Sequence, residues 1–359
     1  MNNKYAVVLG SKAEYIKMFP VLREFERRNI EYTFISTGQH DLSELIKDCG
    51  TKSPDIVLDN KRGFGGDTGG AFMWALRTLP KMYRVLGEVK PDIVLYHGDT
   101  MSTVIASVAA KLRGIDGCHV EAGLRSSDIR EPFPEEIARI IADSISTIAF
   151  VPSLSCAENT KRADTYVVGN TVYDSIVYNM RNGNTKTKDV YAIATIHRHE
   201  NIKSKERMTK IVDILSYSPI PVRLYLHENT KKKLADYDLL KPLMASKNIL
   251  VMPTLNYKDF LKVFSNARFV FTDGGSMSEE CAWFDVPCII LRMETERKEL
   301  LERPDQFLTK LNVDATKLKI DEFSKVTFKN LSNNYYHNIS PSKAIVDILE
   351  SYGGIIWLN

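Results

Sequence analysis

Short apolar runs alternate with amphipathic stretches almost from end to end of this 359-residue chain. The pattern starts with YAVVLG (5–10), a helix from about 14 to 28, YTFIST (32–37), a helix near 42–48 and DIVL (55–58). A long helix is expected over 70–87, then DIVLYHGD (92–99), a helix at 101–113, GCHVEAG (117–123), a helix from about Pro134, TIAFVP (147–152) and VVGN (167–170). The alternation then restarts with YAIATIHR (191–198), VRLYLHEN (222–229), ILVMP (249–253), ARFVFTDGG (267–275) and VPCIILR (286–292). Strands that read as continuous apolar runs, with helices between them, predict parallel sheets covered on both faces. Two such runs predict two Rossmann-like domains, 1–170 and 171–359. The polar, turn-rich RNGNTKTKD (181–189) lies near the joint, and the last helix is expected to pack back on the first domain.

Composition narrows the class of function. Forty-eight basic and 45 acidic residues leave a net charge of +3, which gives no general case for nucleic acid or an anionic membrane. The five cysteines are Cys49, Cys118, Cys156, Cys281 and Cys288, an odd number without a CxxC pair. That argues against a disulfide scaffold and fits a cytoplasmic location. No run approaches the ~18 apolar residues of a spanning helix, and MNNKYAVVLGSK is too short in apolar residues for a signal peptide.

In open α/β sheets, ligands collect at the carboxyl ends of the strands. Five polar clusters fall there: HGD, EAG, HRHEN, HEN and DGGS. Loops are polar in any protein, but five clusters rich in His, Asp and Glu across both halves point to a cleft between the domains. In DGGSMSEE (273–280), Gly274 and Gly275 let the backbone approach a ligand, Ser276 and Ser278 offer hydroxyls, and a helix start offers free N–H groups. These suit a diphosphate, although a Gly turn with a Ser cap would look the same. Glu279 and Glu280 are read as first-turn residues of that helix, where acidic residues favour the dipole as ordinary caps and are also well placed to accept ribose hydroxyls. Neither GxGxxG nor a Walker loop is present. His197 and His199 lack the accompanying ligands of a zinc site, so no metal is expected.

The stretch HVEAGLRSSDIREPFPEE (119–136) is unusually charged for a connection. Ile137, Ile140, Ile141 and Ile145 are read as the core face of the helix that follows. Glu135, Glu136 and Arg139 then lie near the strand-end side, with Glu121 and Asp99 at neighbouring strand ends. Crowded, desolvated carboxylates have raised pKa values, which suits proton transfer at carbon. A network of caps and Arg ion pairs would use the same residues, and spacing leaves both readings open. Lys12 and Lys17 flank the first crossover as solvated helix lysines or anion contacts.

Taken in order, GSKAEYIKMFPV, TGQH, HGDTMSTVIAS, HVEAGLRS, PFPEEIAR, GNTVYDS, TIHRHEN, HEN, TDGGSMSEE and TERKE resemble the non-hydrolysing UDP-N-acetylglucosamine 2-epimerases. The resemblance implies the GT-B arrangement of two Rossmann-like domains, with a UDP-sugar substrate in the cleft. It implies a cofactor-free reaction in which UDP leaves anti to the C2 proton, 2-acetamidoglucal forms, and UDP adds back with a proton from the other face. It matches Asp99, Glu121 and Glu135 to the acid–base carboxylates. His197 and Lys17 match the groups that stabilise charge as UDP departs. Lys12 falls near the diphosphate, Arg139 would orient carboxylates, and His227 and Asn229 form the nucleotide-side HxN. Gly274, Gly275 and Ser276 match the diphosphate loop, Glu280 the ribose contact, Phe260 the uracil-side aromatic and Arg297 the late Arg. A homodimer is implied as well. This chain departs from the family pattern in carrying GSKAE for GTRPE, GGS for SGG and TERKE for TERPE. The late family stretch PYGDG has no clear match in 333–344, and the segment GFGGDTGG (63–70) is unusual. Hydrolysing relatives, epimerases of UDP-diacetamido sugars and a non-catalytic nucleotide-sugar binder are the competing readings.

Overall fold

The computed structural model describes residues 3–59, 68–129, 131–180, 190–326 and 340–352. The expected joint at 181–189, Arg130, most of 63–70 and most of 333–344 lie outside these residues. By its contacts the chain divides into two compact units, 1–175 with 338–359, and 176–337.

The first unit runs β1 (Tyr5–Leu9), α1 (Lys12–Arg27), β2 (Tyr32–Ser36), α2 (Ser43–Cys49), β3 (Ile56–Val57), α3 (Thr68–Val89), β4 (Ile93–His97), α4 (Met101–Arg113), β5 (Asp116–Val120), α5 (Glu135–Ile145), β6 (Ile148–Val151), α6 (Leu154–Ala157) and β7 (Asp164–Val167). Helix α7 (Val172–Asn179) follows. The seven strands are all parallel, in the order β3-β2-β1-β4-β5-β6-β7. Every residue of β1 and β4 is buried, as a sheet covered on both faces requires. The last strand lies earlier than VVGN suggests. Gly169 adopts φ 86°, so the backbone has already turned out of the sheet there.

The second unit runs β8 (Ala192–Ile196), α8 (His199–Ile202), α9 (Lys205–Ser216), β9 (Val222–Leu226), α10 (Glu228–Asp236), α11 (Leu240–Ala245), β10 (Ile249–Met252), α12 (Tyr257–Phe264), β11 (Val270–Thr272), α13 (Gly275–Phe284), β12 (Cys288–Ile290), β13 (Gln306–Leu308) and α14 (Val313–Lys325), with a 3-10 turn at Lys298–Glu302. Its parallel sheet is ordered β10-β9-β8-β11-β12-β13. Strand β13 has only three residues, two of them apolar, and carries too little pattern to be read from sequence.

Helix α15 (Pro341–Ser351) belongs to the first unit and packs on α1. Arg28 at the end of α1 holds Asp347 at 2.7 Å and Glu350 at 2.6 Å, and the Tyr5 hydroxyl donates to Leu349 O at 2.9 Å.

Two local choices fix the sheet's working edge. A Cβ on Gly10 would lie 2.0 Å from Ser102 Oγ and 2.2 Å from Thr37 Oγ1, so only glycine lets the end of β1 pass this hydrogen-bonded pair. Pro20 sits inside α1 and cannot donate to Ile16 O, which would cost a helix bond. The Ser175 hydroxyl donates to Ile16 O instead, so the helix continues through the proline.

Candidate active site

In the first unit the strand ends carry carboxylates, each with a cation. Asp99 follows Gly98 at the end of β4, and Glu121 follows β5 directly. The two strands are neighbours, with His97 opposite Val120. Glu121 Oε1 accepts from Lys17 Nζ at 2.6 Å and from Asn170 Nδ2 at 3.1 Å. The side chains of Lys17 and Glu121 are each only 6% exposed. His97 Nε2 lies 3.1 Å from Glu121 Oε2, without the direction of a hydrogen bond. Desolvating two charges cancels much of their attraction, so a pair this deep is a poor device for stability alone. Its value lies in holding a carboxylate in a fixed place.

Asp99 pairs with Arg139 Nη2 of α5, whose Nη1 donates to Glu136 Oε2 at 2.8 Å. Glu136 in turn accepts the Ser126 N–H at 3.1 Å. Glu135 opens α5 four residues before Arg139, on the same side of the helix. Arg139 therefore ties Asp99 to the helix face that bears Glu135.

Helix α5 is turned over relative to expectation. Its buried residues are Glu136, Ala138, Arg139, Ala142 and Asp143. Ile137 and Ile140 are exposed and Ile141 and Ile145 only partly covered. The helix faces inward with the charges because each finds a partner there. Asp143 is bonded to His119 and Arg125, as Glu136 and Arg139 are to each other. Burial pushes the Asp143 carboxyl up, but His119 and Arg125 outweigh that and hold it below the usual carboxylate range.

Glu14, Asn170 and Ser175 lie within the quoted motifs, and the spacing alone does not mark them as site residues. Glu14 is buried, and its Oε2 accepts the N–H groups of Gly10 at 2.8 Å and Ser11 at 2.6 Å. Its Oε1 accepts from the hydroxyls of Thr100 and Thr103, tying the β1 turn to the β4 turn. The signal available in sequence was the capping box Ser11-x-x-Glu14. Lys12 is exposed, and its N–H donates to His40 Nδ1 at 3.2 Å.

The second unit presents different chemistry. Asp273 is fully buried at the end of β11 and accepts the N–H groups of His197 and Arg198, each at 3.0 Å, and Asn201 Nδ2 at 3.1 Å. The His197 ring sits over the same carboxylate, Nδ1 to Oδ1 3.3 Å, and beside His227, ring centres 5.5 Å apart. Crowding by neighbouring atoms, with Arg198 and His227 adding positive charge, holds the His197 imidazole below the usual histidine value against the pull of Asp273. The ring's 43% exposed edge tempers that desolvation.

Gly274 caps α13 without a side-chain hydrogen bond, so no side chain of the cap takes the N–H groups of the first turn. A Cβ on Gly274 would stand 3.0 Å from His197 Cε1, and one on Gly275 would stand 2.4 Å from Glu296 Oε1. Ser276 is partly exposed at this turn. Ser278 is not available to a ligand, because its hydroxyl donates to Gly275 O at 2.6 Å inside the helix. Glu279 and Glu280 stand in the second turn of α13 rather than the first, and both are buried. Arg297 Nε holds Glu279 Oε1 at 2.8 Å, and the Tyr257 hydroxyl donates to Glu280 Oε1 at 2.9 Å. Phe260 packs edge-on to Tyr225, centres 5.3 Å apart, in the apolar cluster beside β9. Asn229 is exposed in the first turn of α10. Among the described residues no group of three or more His, Cys, Asp or Glu is placed to hold a metal ion.

Known proteins match this arrangement over nearly the whole chain. A sequence model of the UDP-N-acetylglucosamine 2-epimerase family matches residues 23–350. The UDP-N-acetylglucosamine 2-epimerase of Methanocaldococcus jannaschii is 35% identical over 325 residues, covering 83% of this chain and 86% of that protein. The UDP-2,3-diacetamido-2,3-dideoxy-D-glucuronate 2-epimerase of Pseudomonas aeruginosa is 30% identical over 317 residues, with 83% and 86% covered. The crystal structure of the Methanocaldococcus jannaschii enzyme in complex with UDP-GlcNAc and UDP superimposes with a TM-score of 0.86 at 31% identity, over 96% of this chain and 99% of that one. On this agreement of sequence and of fold, the chain belongs to the UDP-N-acetylglucosamine 2-epimerase family.

Proposed function

We propose that this chain inverts C2 of a UDP-2-acetamido sugar, interconverting UDP-GlcNAc and UDP-ManNAc. In this reading the first unit acts on the sugar and the second holds UDP, as in the GT-B class. A carboxylate removes the C2 proton, the C1–O bond breaks, and its electron pair leaves with UDP. The C2–H electrons form the C1=C2 bond of 2-acetamidoglucal. UDP then re-adds at C1, and a second acidic group delivers a proton to the opposite face of C2. The observation that carries this reading is the set of Asp99, Glu121 and Glu135 on neighbouring elements, with Arg139 and Lys17 supporting the first two. A purely binding protein has no use for such a set.

Departing UDP gathers negative charge, which the first-turn N–H groups of α13 and a donor at His197 would offset. Arg297 supports Glu279, and Tyr257 supports Glu280, so both carboxylates have fixed positions for contacts to the nucleotide. Lys17 acts through Glu121 in this scheme. A diacetamido sugar is the second reading, favoured by the Pseudomonas aeruginosa relative. A cytoplasmic location is supported by five buried thiols, and among the described residues no helix is long and apolar enough to cross a membrane. A homodimer is supported by exposed apolar residues on helices that both pack on α4: Phe72, Met73 and Leu76 of α3, and Ile137 and Ile140 of α5, with Phe133 just before it.

Proton NMR of UDP-GlcNAc with the protein in deuterated buffer tests the reading. UDP-ManNAc should form and deuterium should enter C2 without any added cofactor. Retention of protium at C2 rejects epimerisation. Free sugar with UDP as net product marks a hydrolysing enzyme, and binding without turnover marks a sensor.

A further inference from the structure

Two turns must keep register for the carboxylates to act together, and their backbones are poor at keeping it alone. Gly98 has φ 69°, Glu121 φ 66° and Gly123 φ 80°. Glycine is not confined to this region, and a non-glycine residue such as Glu121 is strained there. The surrounding structure must therefore hold these turns.

We propose that His119 and Asp143 form a buried clip that positions Asp99, Glu121 and Glu135 for proton transfer. His119 lies on β5 and is 0% exposed. Its Nε2–H donates to Gly98 O at 2.8 Å, one residue before Asp99. A carbonyl only accepts, so Nε2 must carry the hydrogen. Its Nδ1 lies 2.7 Å from Asp143 Oδ1, with one shared hydrogen between them. Asp143 Oδ2 accepts the Gly123 N–H at 3.1 Å, two residues past Glu121, and Arg125 Nη1 at 2.6 Å. Asp143 also belongs to α5, the helix that Glu135 opens. One pair of side chains thus reaches all three carboxylate-bearing elements.

An apolar pair of similar size would fill the same volume without the cost of burying two ionisable groups. What it could not do is bind the Gly98 carbonyl and the Gly123 amide, the backbone groups that flank the two strand-end carboxylates. The clip touches no reacting atom, so His119 and Asp143 are positioning residues. This inference rests on the epimerase reading for its consequence, and on the hydrogen bonds for its existence.

The test uses the full chain with His119→Gln and Asp143→Asn, each of which keeps the side-chain volume and breaks part of the clip. Steady-state epimerisation is normalised to the number of UDP-binding sites found by calorimetry. A merely structural loss lowers the number of such sites and leaves turnover per site unchanged. The clip predicts that kcat per site falls about 100-fold, the scale of a 1 Å misplacement, with KM and UDP affinity within about threefold of wild type. Turnover per site within about threefold of wild type in both variants overturns the proposal. Should both variants fail to fold, nitrogen-15 NMR of the wild-type histidines still decides. A hydrogen on His119 Nε2, protected from exchange and bonded to the carbonyl, is expected, and its absence overturns the clip. If wild type shows no C2 exchange, the epimerase reading fails, while the NMR result judges the clip separately.

Discussion

The two units share one strand order, yet carry different residues at the strand ends. Both sheets place their first strand beside their fourth, at β1–β4 and at β8–β11, and both put polar residues past those strand ends. In the first unit the load is carried by side chains: Lys17 with Glu121, and Arg139 with Asp99 and Glu136. In the second the start of α13, which has no side-chain cap, adds backbone N–H groups to buried side-chain pairs such as Arg297 with Glu279, and Asp273 anchors the loop at His197 and Arg198. The lesson is that topology supplies an address and the residues at the address supply function. Proton transfer needs carboxylates whose charge is managed by neighbours. A diphosphate needs N–H donors and no competing side chain.

The largest expected effect breaks the first half alone. Glu121→Gln should lower turnover by about 10²- to 10⁴-fold, the range for loss of an acid–base group. It removes the carboxylate charge that faces the buried Lys17, so urea unfolding should show a loss of about 3 kcal/mol. UDP affinity, measured by calorimetry, should stay within about threefold. A matching collapse of UDP affinity would show that the two halves are not separable.

The mirror experiment comes next. Gly275→Ala places a methyl 2.4 Å from Glu296 Oε1, so either the Glu296 carboxylate leaves its bond with Arg292 or the start of α13 shifts. We expect UDP to bind about tenfold more weakly, a cost of about 1.4 kcal/mol. The Lys17–Glu121 pair in the first unit should be untouched. Unchanged UDP affinity in a folded variant would remove the glycine loop from the site.

Ser175→Ala leaves Ile16 O without its donor, in the turn of α1 that carries Lys17. Loss of one hydrogen bond predicts about 1 kcal/mol of stability, read as a lower thermal midpoint. Helices α8 and α9, which follow the first strand of the second unit, contain no proline, so no equivalent sensitivity is expected there. A variant as stable as wild type would mean that water satisfies the carbonyl.

The alternation of strands and helices, most of their limits and the residues at the strand ends are all legible along the chain. Strands buried on both faces write their position as local apolar runs, and glycines such as Gly10 and Gly274 mark where backbone must pass closely. The orientation of α5 was decided only in three dimensions. Its isoleucines gave an ordinary apolar face, yet the helix buries Glu136, Arg139 and Asp143, because partners distant in sequence make that face the cheaper one to bury. Asp99 lies 40 residues from Arg139, and His119 lies 24 from Asp143. A periodic pattern reports hydrophobicity along one segment. It holds no record of which charge another segment will bring, and that pairing decides whether a charged face is buried or left in water.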